Sequence, residues 1–410
     1  MTAIYHFITR LAEAILNLLS IFLKSGKLRD FIVGRKTQDL SVPLTKTSKR
    51  YWFHCASLGE FEQARPVIEA IKENDPSISI VISFFSPSGY QQRKNYSLAD
   101  AVIYLPLDTP SNARKVLNYL KPDQVIFVKY ELWYFYLSAI HQRQIPCYLI
   151  SATFRHNQFI FSFLGTWLFK LLPRFSCIFL QDDNSYQLLK QKGFTNIQLS
   201  GDTRYDRVKQ NALKVKLNPH IEAFKADSPM LILGSSWQAE EALAEQFLRD
   251  ESFKSFKVLI VPHDISKKHI DAIYTSVKQY GVSLYTDSQI LQGSRVMVLD
   301  TIGHLSSAYY YADLALVGGA FGKGLHNILE ALSFGVPVVF GPNTGKFPEA
   351  ALAMQAEVAM TITDYESFKR SVIYFLPEKN LDNTLRAKCI DFINWHSGAT
   401  GKVLKILEKK

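Results

Sequence analysis

The chain has 410 residues, 47% hydrophobic and 20% charged, a globular composition with room for two domains rather than one. Its net charge is +10, and residues 1–50 hold nine Lys or Arg against three acids, so over half of the excess lies there. Such an excess suits nucleic acid, an anionic membrane or an acidic substrate, and the lack of zinc spacings, arginine-rich tracts or RNP-like strands argues against the first. Four cysteines, Cys55, Cys147, Cys177 and Cys389, stand singly and read as buried reduced thiols.

Residues 3–23 are largely apolar, while His6, Arg10, Glu13, Asn17, Ser20 and Lys24 recur every three or four positions. On a helix they make one narrow polar stripe. The uncharged run 14–23 is shorter than the roughly 20 residues a span needs. No charged segment precedes it and no cleavage site follows, which argues against a secretory signal. The helix either packs on the protein's own core or meets a membrane. The wide apolar arc favours the membrane interface, with the cations of 24–29 and Arg35 and Lys36 touching anionic head groups. A tilted single span is the other membrane arrangement, and both leave the globular part in the cytoplasm. Residues 1–35 are therefore expected to be an amphipathic membrane helix with a basic flank.

Strand-like runs follow at 51–56, 78–84, 101–104, 124–128, 146–150, 177–180 and 197–200, then at 230–233, 257–261, 283–285, 296–299, 314–317 and 336–340. Amphipathic stretches such as 60–72, 132–141, 239–247 and 326–334 separate them. This alternation predicts an α/β protein with parallel sheets covered by helices on both faces. The polar stretch 202–229, with Pro219 and Pro229, divides it. The expected domains are 50–202 and 230–410, joined by a linker at 203–229, with ligands in the cleft between them.

Three segments carry chemistry. Phe53 to Glu60 is a strand end, a small-residue turn and an acid opening a helix; spacing alone is satisfied by a carboxylate complementing the helix dipole. Ile126 to Trp133 repeats the pattern with Glu131 on the turn. Two acids at equivalent strand ends can face one pocket, one taking a proton from an acceptor hydroxyl while the other orients it. The third, Val317 to Ala331, runs from a strand through four glycines and Lys323 into a helix bearing His326 and, one turn on, Glu330. Backbone amides of Gly322 and Gly324, Lys323 and the helix N-terminus suit a phosphate. The segment matches neither a Walker loop nor the dinucleotide fingerprint. His326 has no partner at metal-ligand spacing. Ser236, His263, Asn343 and Lys346 lie on further loops that put polar groups at one rim of the second domain.

These residues resemble the Kdo (3-deoxy-D-manno-octulosonic acid) transferases of lipopolysaccharide biosynthesis. Ser57-Leu58-Gly59-Glu60 is similar to the family's Ser-Val-Gly-Glu, and Lys129-Tyr130-Glu131-Leu132-Trp133-Tyr134 to its Glu-Thr-Glu-Leu-Trp-Pro. Gly324-Leu325-His326-Asn327-Ile328-Leu329-Glu330 resembles its Gly-Gly-His-Asn-Pro-Leu-Glu, and Ala312-Asp313-Leu314-Ala315, Gly335-Val336-Pro337-Val338 and Gly341-Pro342-Asn343 match as well. The resemblance implies a GT-B fold: two doubly wound Rossmann-like domains, the N-terminal one for the acceptor and the C-terminal one for the nucleotide. It implies CMP-Kdo as donor, a lipid A precursor as acceptor, inversion without a metal or other cofactor, and a place on the cytoplasmic face of the inner membrane. Carried over, Glu60 is the general base and Glu131 the second carboxylate, and Lys323, His326, Asn327 and Glu330 hold CMP, with Lys346 in support. Departures stand at Lys129 and Tyr134, at His263-Asp264 where many members have Arg-His, and at His304.

Two other readings are weighed against this one. Another nucleotide-sugar transferase or an epimerase would keep the fold, but an epimerase needs no membrane foot. A catalytically silent, membrane-peripheral nucleotide binder would have no need of both carboxylates.

Overall fold

A computed structural model describes residues 1–22, 25–41, 44, 49–287, 293–322, 324–376 and 383–409. Lys24 and Lys323 lie outside these.

The first sheet holds β1 (Arg50–Cys55), β2 (Ser79–Phe84), β3 (Ala101–Tyr104), β4 (Gln124–Val128), β5 (Cys147–Ala152), β6 (Cys177–Leu180) and β7 (Ile197–Leu199), in the order β3-β2-β1-β4-β5-β6-β7. The second holds β8 (Met230–Ser236), β9 (Lys257–Pro262), β10 (Val282–Leu284), β11 (Val296–Val298), β12 (Leu314–Val317), β13 (Val338–Phe340) and β14 (Ala359–Thr361), in the order β10-β11-β9-β8-β12-β13-β14. Every pairing is parallel.

Parallel strands are covered on both faces, so their central members are mostly apolar, and the polar residues they do carry are buried with them. β1, β2, β4 and β5 are buried at every residue. The helix Leu58–Asn74 covers one face with Phe61, Ala64, Val67, Ile68 and Ile71. All thirteen expected strands form. β14 was not expected: at three residues, with only Ala359 buried, it carries too little pattern to read.

The chain divides into two compact units, 1–207 with 397–410, and 208–396. This corrects the expected assignment of 230–410 to one domain. The terminal helix Ala399–Leu407 buries Val403 and Leu407 in the core of the first unit. Gln124 Nε2 donates to the Leu407 carbonyl at 2.9 Å, and Asp206 accepts from the Thr400 amide and hydroxyl, each at 2.8 Å. The expected linker is itself partly helical, at Thr203–Leu213 and Pro219–Lys225, and Ile221 and Phe224 are fully buried.

The helix Thr2–Phe22 turns Tyr5, His6 and Glu13 inward, while Arg10 and Asn17 of the polar stripe stay exposed. Tyr5 Oη donates to Asp108 Oδ2 at 2.8 Å, and Asn112 Nδ2 donates to Glu13 Oε1 at 2.9 Å. Ile4, Phe7, Ile8, Leu11, Ile15, Leu18 and Phe22 are left exposed, so the apolar arc does not serve the protein's own core. Among the described residues no helix is long and apolar enough to cross a membrane.

Candidate active site

In the first sheet the strand order reverses between β1 and β4, and open α/β sheets bind ligands beyond the carboxyl ends at such a point. Both expected carboxylates stand there. Glu60 lies in the first turn of Leu58–Asn74, directly after β1, and is 8% exposed. Its carboxylate folds back to accept the amides of Ala56 and Ser57. The local capping role and the place at the site therefore coexist. Beyond β4, Lys129 adopts φ 64°, a left-handed conformation costly for a non-glycine residue. Such strained backbone concentrates at functional sites, and here it turns the chain into the Glu131 segment. Glu131 Oε2 accepts from Trp133 Nε1 at 2.6 Å and lies 3.6 Å from His54 Nε2.

Burial pushes the Glu60 carboxyl from its ordinary 4.5 up to about 7, the Glu131 charge pushes the same way, and Lys129 with the two amides opposes them. A carboxyl titrating near neutrality is matched to removing a proton from a hydroxyl.

In the second sheet the reversal falls between β8 and β12. The glycine segment leaves β12, and two of its glycines are sterically required. A β-carbon on Gly318 would lie 2.2 Å from the Ser235 carbonyl oxygen. One on Gly319, φ 94°, would lie 2.3 Å from that of Gly324. Glu240, fully buried, braces the segment by accepting the Gly319 amide at 2.9 Å and the Trp237 amide at 3.0 Å. Burial pushes the Glu240 carboxyl upward and those amides hold it back.

The expected helix at 326–334 is corrected to Leu329–Ser333. Asn327 is the cause: its Oδ1 accepts the Leu329 amide at 3.1 Å and its Nδ2 donates to Glu330 Oε1 at 3.0 Å, drawing the chain into a turn before the helix starts. His326 is thus not on the helix, and Glu330 is not one helical turn beyond it. Five residues carry little dipole, so anion contact in this segment must come from the loop.

Three rings stack beside that loop. Trp237 lies 4.6 Å from His263 at 26°, and His263 lies 4.8 Å from His326 at 29°. Trp237 Nε1 donates to His326 Nε2 at 3.3 Å. Burial and the neighbouring His263 hold the His326 imidazole below its usual range. Trp237, Glu240, Asp264, His269, Gly319 and Gly322 line a pocket of about 560 Å³, a size that suits a small ligand.

The structure thus gathers Ser236, His263, His326, Gly322 and Gly324 around one rim. Ser236 is inside it, donating to Glu241 Oε1 at 3.0 Å, where His269 Nε2 also lies at 3.0 Å. Asn343 Nδ2 donates to the Gly322 carbonyl at 3.1 Å and ties on the loop bearing Lys346, which is exposed. Asn327 and Glu330 pair with each other, and Lys323 lies outside the described residues. Among the described residues no three His, Cys, Asp or Glu side chains form a metal-binding group. Sequence reasoning missed His54, His269 and the bracing role of Glu240. The signal for the last was an acid three residues after Trp237, the residue between the strand end at Ser236 and the helix, where an N3 Glu reaches back to the cap amide.

Two doubly wound parallel sheets, each with polar loops at its point of strand reversal, give the chain a GT-B-type architecture. Residues 32–207 match the family model of the 3-deoxy-D-manno-octulosonic-acid transferases. The chain is 30% identical to a probable mitochondrial 3-deoxy-D-manno-octulosonic acid transferase of Arabidopsis thaliana, over 76% of this chain and 73% of the relative. It is 26% identical to the Haemophilus influenzae 3-deoxy-D-manno-octulosonic acid transferase, over 87% and 86%. The chain belongs to the Kdo transferase family. In fold it is similar to UDP-GlcNAc 2-epimerase from Neisseria meningitidis, with TM-score 0.63 at 14% identity over 88% of this chain and all of that one. That likeness concerns the fold alone.

Proposed function

We propose that this chain transfers Kdo from CMP-Kdo to a sugar hydroxyl of a lipid A precursor, inverting the anomeric carbon, at the cytoplasmic face of the inner membrane. The observation that carries the chemistry is the pair Glu60 and Glu131 at the strand reversal of the first sheet, with Glu60 raised to about 7. Glu60 takes the proton of the acceptor hydroxyl as its oxygen bonds to the anomeric carbon. The bond from that carbon to the CMP phosphate breaks, and the electron pair leaves with the phosphate. Glu131 orients the acceptor. His326, Asn327, Glu330 and the backbone of Gly322 and Gly324 hold CMP with Lys323 and Lys346, and Ser236 and His263 support them. Developing charge on the leaving phosphate is met by lysines and amide N–H groups, without a metal.

Membrane attachment is supported by the outward apolar arc of Thr2–Phe22. Tyr5 on that helix lies 4.9 Å from Trp167, close to a segment whose Phe163 is 94% exposed, with Leu164 and Phe159 also exposed. Exposed aromatics beside an apolar helix and a basic flank suit an anionic interface.

The test is transfer from CMP-Kdo, generated in situ, to a tetraacylated lipid A precursor in detergent with EDTA. Product is expected. If CMP binds but no Kdo is transferred, the donor is another CMP-linked acidic sugar; if product forms only without EDTA, the metal-free account fails.

A further inference from the structure

A buried polar chain runs beneath the carboxylates. Trp52, His54 and Ser83 stand side by side on β1 and β2, each fully buried. Trp52 Nε1 donates to Ser83 Oγ at 2.8 Å, and Ser83 Oγ lies 2.8 Å from His54 Nδ1. An indole N–H only donates, so the serine oxygen is the acceptor there. The serine has one hydroxyl proton to place, and His54 Nδ1, 2.8 Å away, can accept it. An imidazole that accepts at Nδ1 carries its own proton on Nε2. In that tautomer the Nε2 N–H faces Glu131 Oε2, 3.6 Å away, with no hydrogen-bond partner among the described residues. A buried N–H without a partner is costly, and catalytic contacts of this kind shorten when substrate arrives.

We propose that His54 is a positioning residue for Glu131. Ser83 holds it as the Nε2–H tautomer. The His54 and Trp133 N–H groups then both occupy Oε2, aiming Oε1 at the acceptor hydroxyl. This rests on the reading of Glu131 as the acceptor-side carboxylate. The bland alternative is a satisfied core histidine, but its unpartnered Nε2 facing a carboxylate does not fit that role.

The test compares His54→Asn, whose amide reaches the Nδ1 position but not Glu131, with His54→Gln, whose amide reaches the Nε2 position. His54→Asn is expected to lower kcat by about 10- to 100-fold, as small misplacements of a reacting group do. The KM for CMP-Kdo should stay within about two-fold, because the groups proposed to hold the donor belong to the other unit. His54→Gln should restore most of the lost turnover. Unchanged kcat in His54→Asn, or equal loss in both variants, overturns the proposal. The tautomer is read separately, by nitrogen-15 spectra of the histidine-labelled wild-type protein. A proton on Nδ1 of His54 overturns the proposal even if the variants fail to fold. Absence of Kdo transfer by the wild type would refute the function and leave the tautomer measurement to decide the role of His54.

Discussion

At the scale of single residues, a carboxyl buried beside another carboxylate holds its proton to higher pH, and Glu60 shows both the use and the cost. In its proposed role as the base it must be ionised, so kcat/KM should rise with pH to a plateau, with an acidic limb centred near 7. An acidic limb near 4 would remove it from that role. Glu60→Gln should lower turnover by at least about 10²-fold, within the usual span for general bases, and leave CMP-Kdo affinity nearly unchanged. Stability runs the other way. With a folded value of about 7 above the ordinary 4.5, the fold favours protonated Glu60; its contribution is complete below about 4.5 and is lost as pH rises through 7. The neutral glutamine escapes that loss, so Glu60→Gln should melt a few degrees above wild type at pH 8 and with no gain at pH 4.5. The identity of this residue was legible in the Ser-Leu-Gly-Glu turn. Its proton affinity was not, because that depends on Glu131, 71 positions further along the chain.

At the scale of elements, a 3.6-residue pattern shows that a helix has two faces but not which face the protein keeps. Thr2–Phe22 is tethered by Tyr5 and Glu13, and Asp108, the partner of Tyr5, also accepts the amides of Phe135 and Tyr136. Burial lifts the Asp108 carboxyl to about 6, while those amides and the tyrosine oppose it. Removing residues 1–24 leaves Asp108 its amide partners, so the rest of the chain should fold, with higher solubility and weaker binding to anionic liposomes in a flotation assay. A truncated chain that unfolds would make the helix part of the core. The glycine-rich segment shows the opposite limit. Apolar spacing at 326–334 reads as helix, yet the side chain of Asn327 captures the Leu329 amide and delays the start to Leu329. Local competition of this kind is faint in a periodicity.

At the scale of the whole molecule, the chain returns to its first unit at the end. Burying Val403 and Leu407 is worth roughly 1.5–3 kcal/mol each. Deleting residues 397–410 should therefore lower the melting of the first unit by about 10 °C, at roughly 2–4 °C per kcal/mol for a unit of this size. CMP binding, placed in residues 208–396, should survive. Loss of CMP binding in a chain that keeps its first unit would refute that division.

The sequence alone determined thirteen of the strands, the parallel α/β class and the acids at two strand ends, because a strand buried on both faces is predominantly apolar and a turn into a helix is rich in polar residues. It also carried the family resemblance. Only the tertiary structure decided that β1 adjoins β4 and β8 adjoins β12, which brings Glu60 beside Glu131 and the glycine loop beside Trp237. Only it showed the outward face of the first helix, the return of the last one and the chain from Trp52 through Ser83 to His54. The physical reason is shared: strand order, the choice of covered face and a buried hydrogen bond all join residues far apart in the chain, and local propensity carries no term for such pairs.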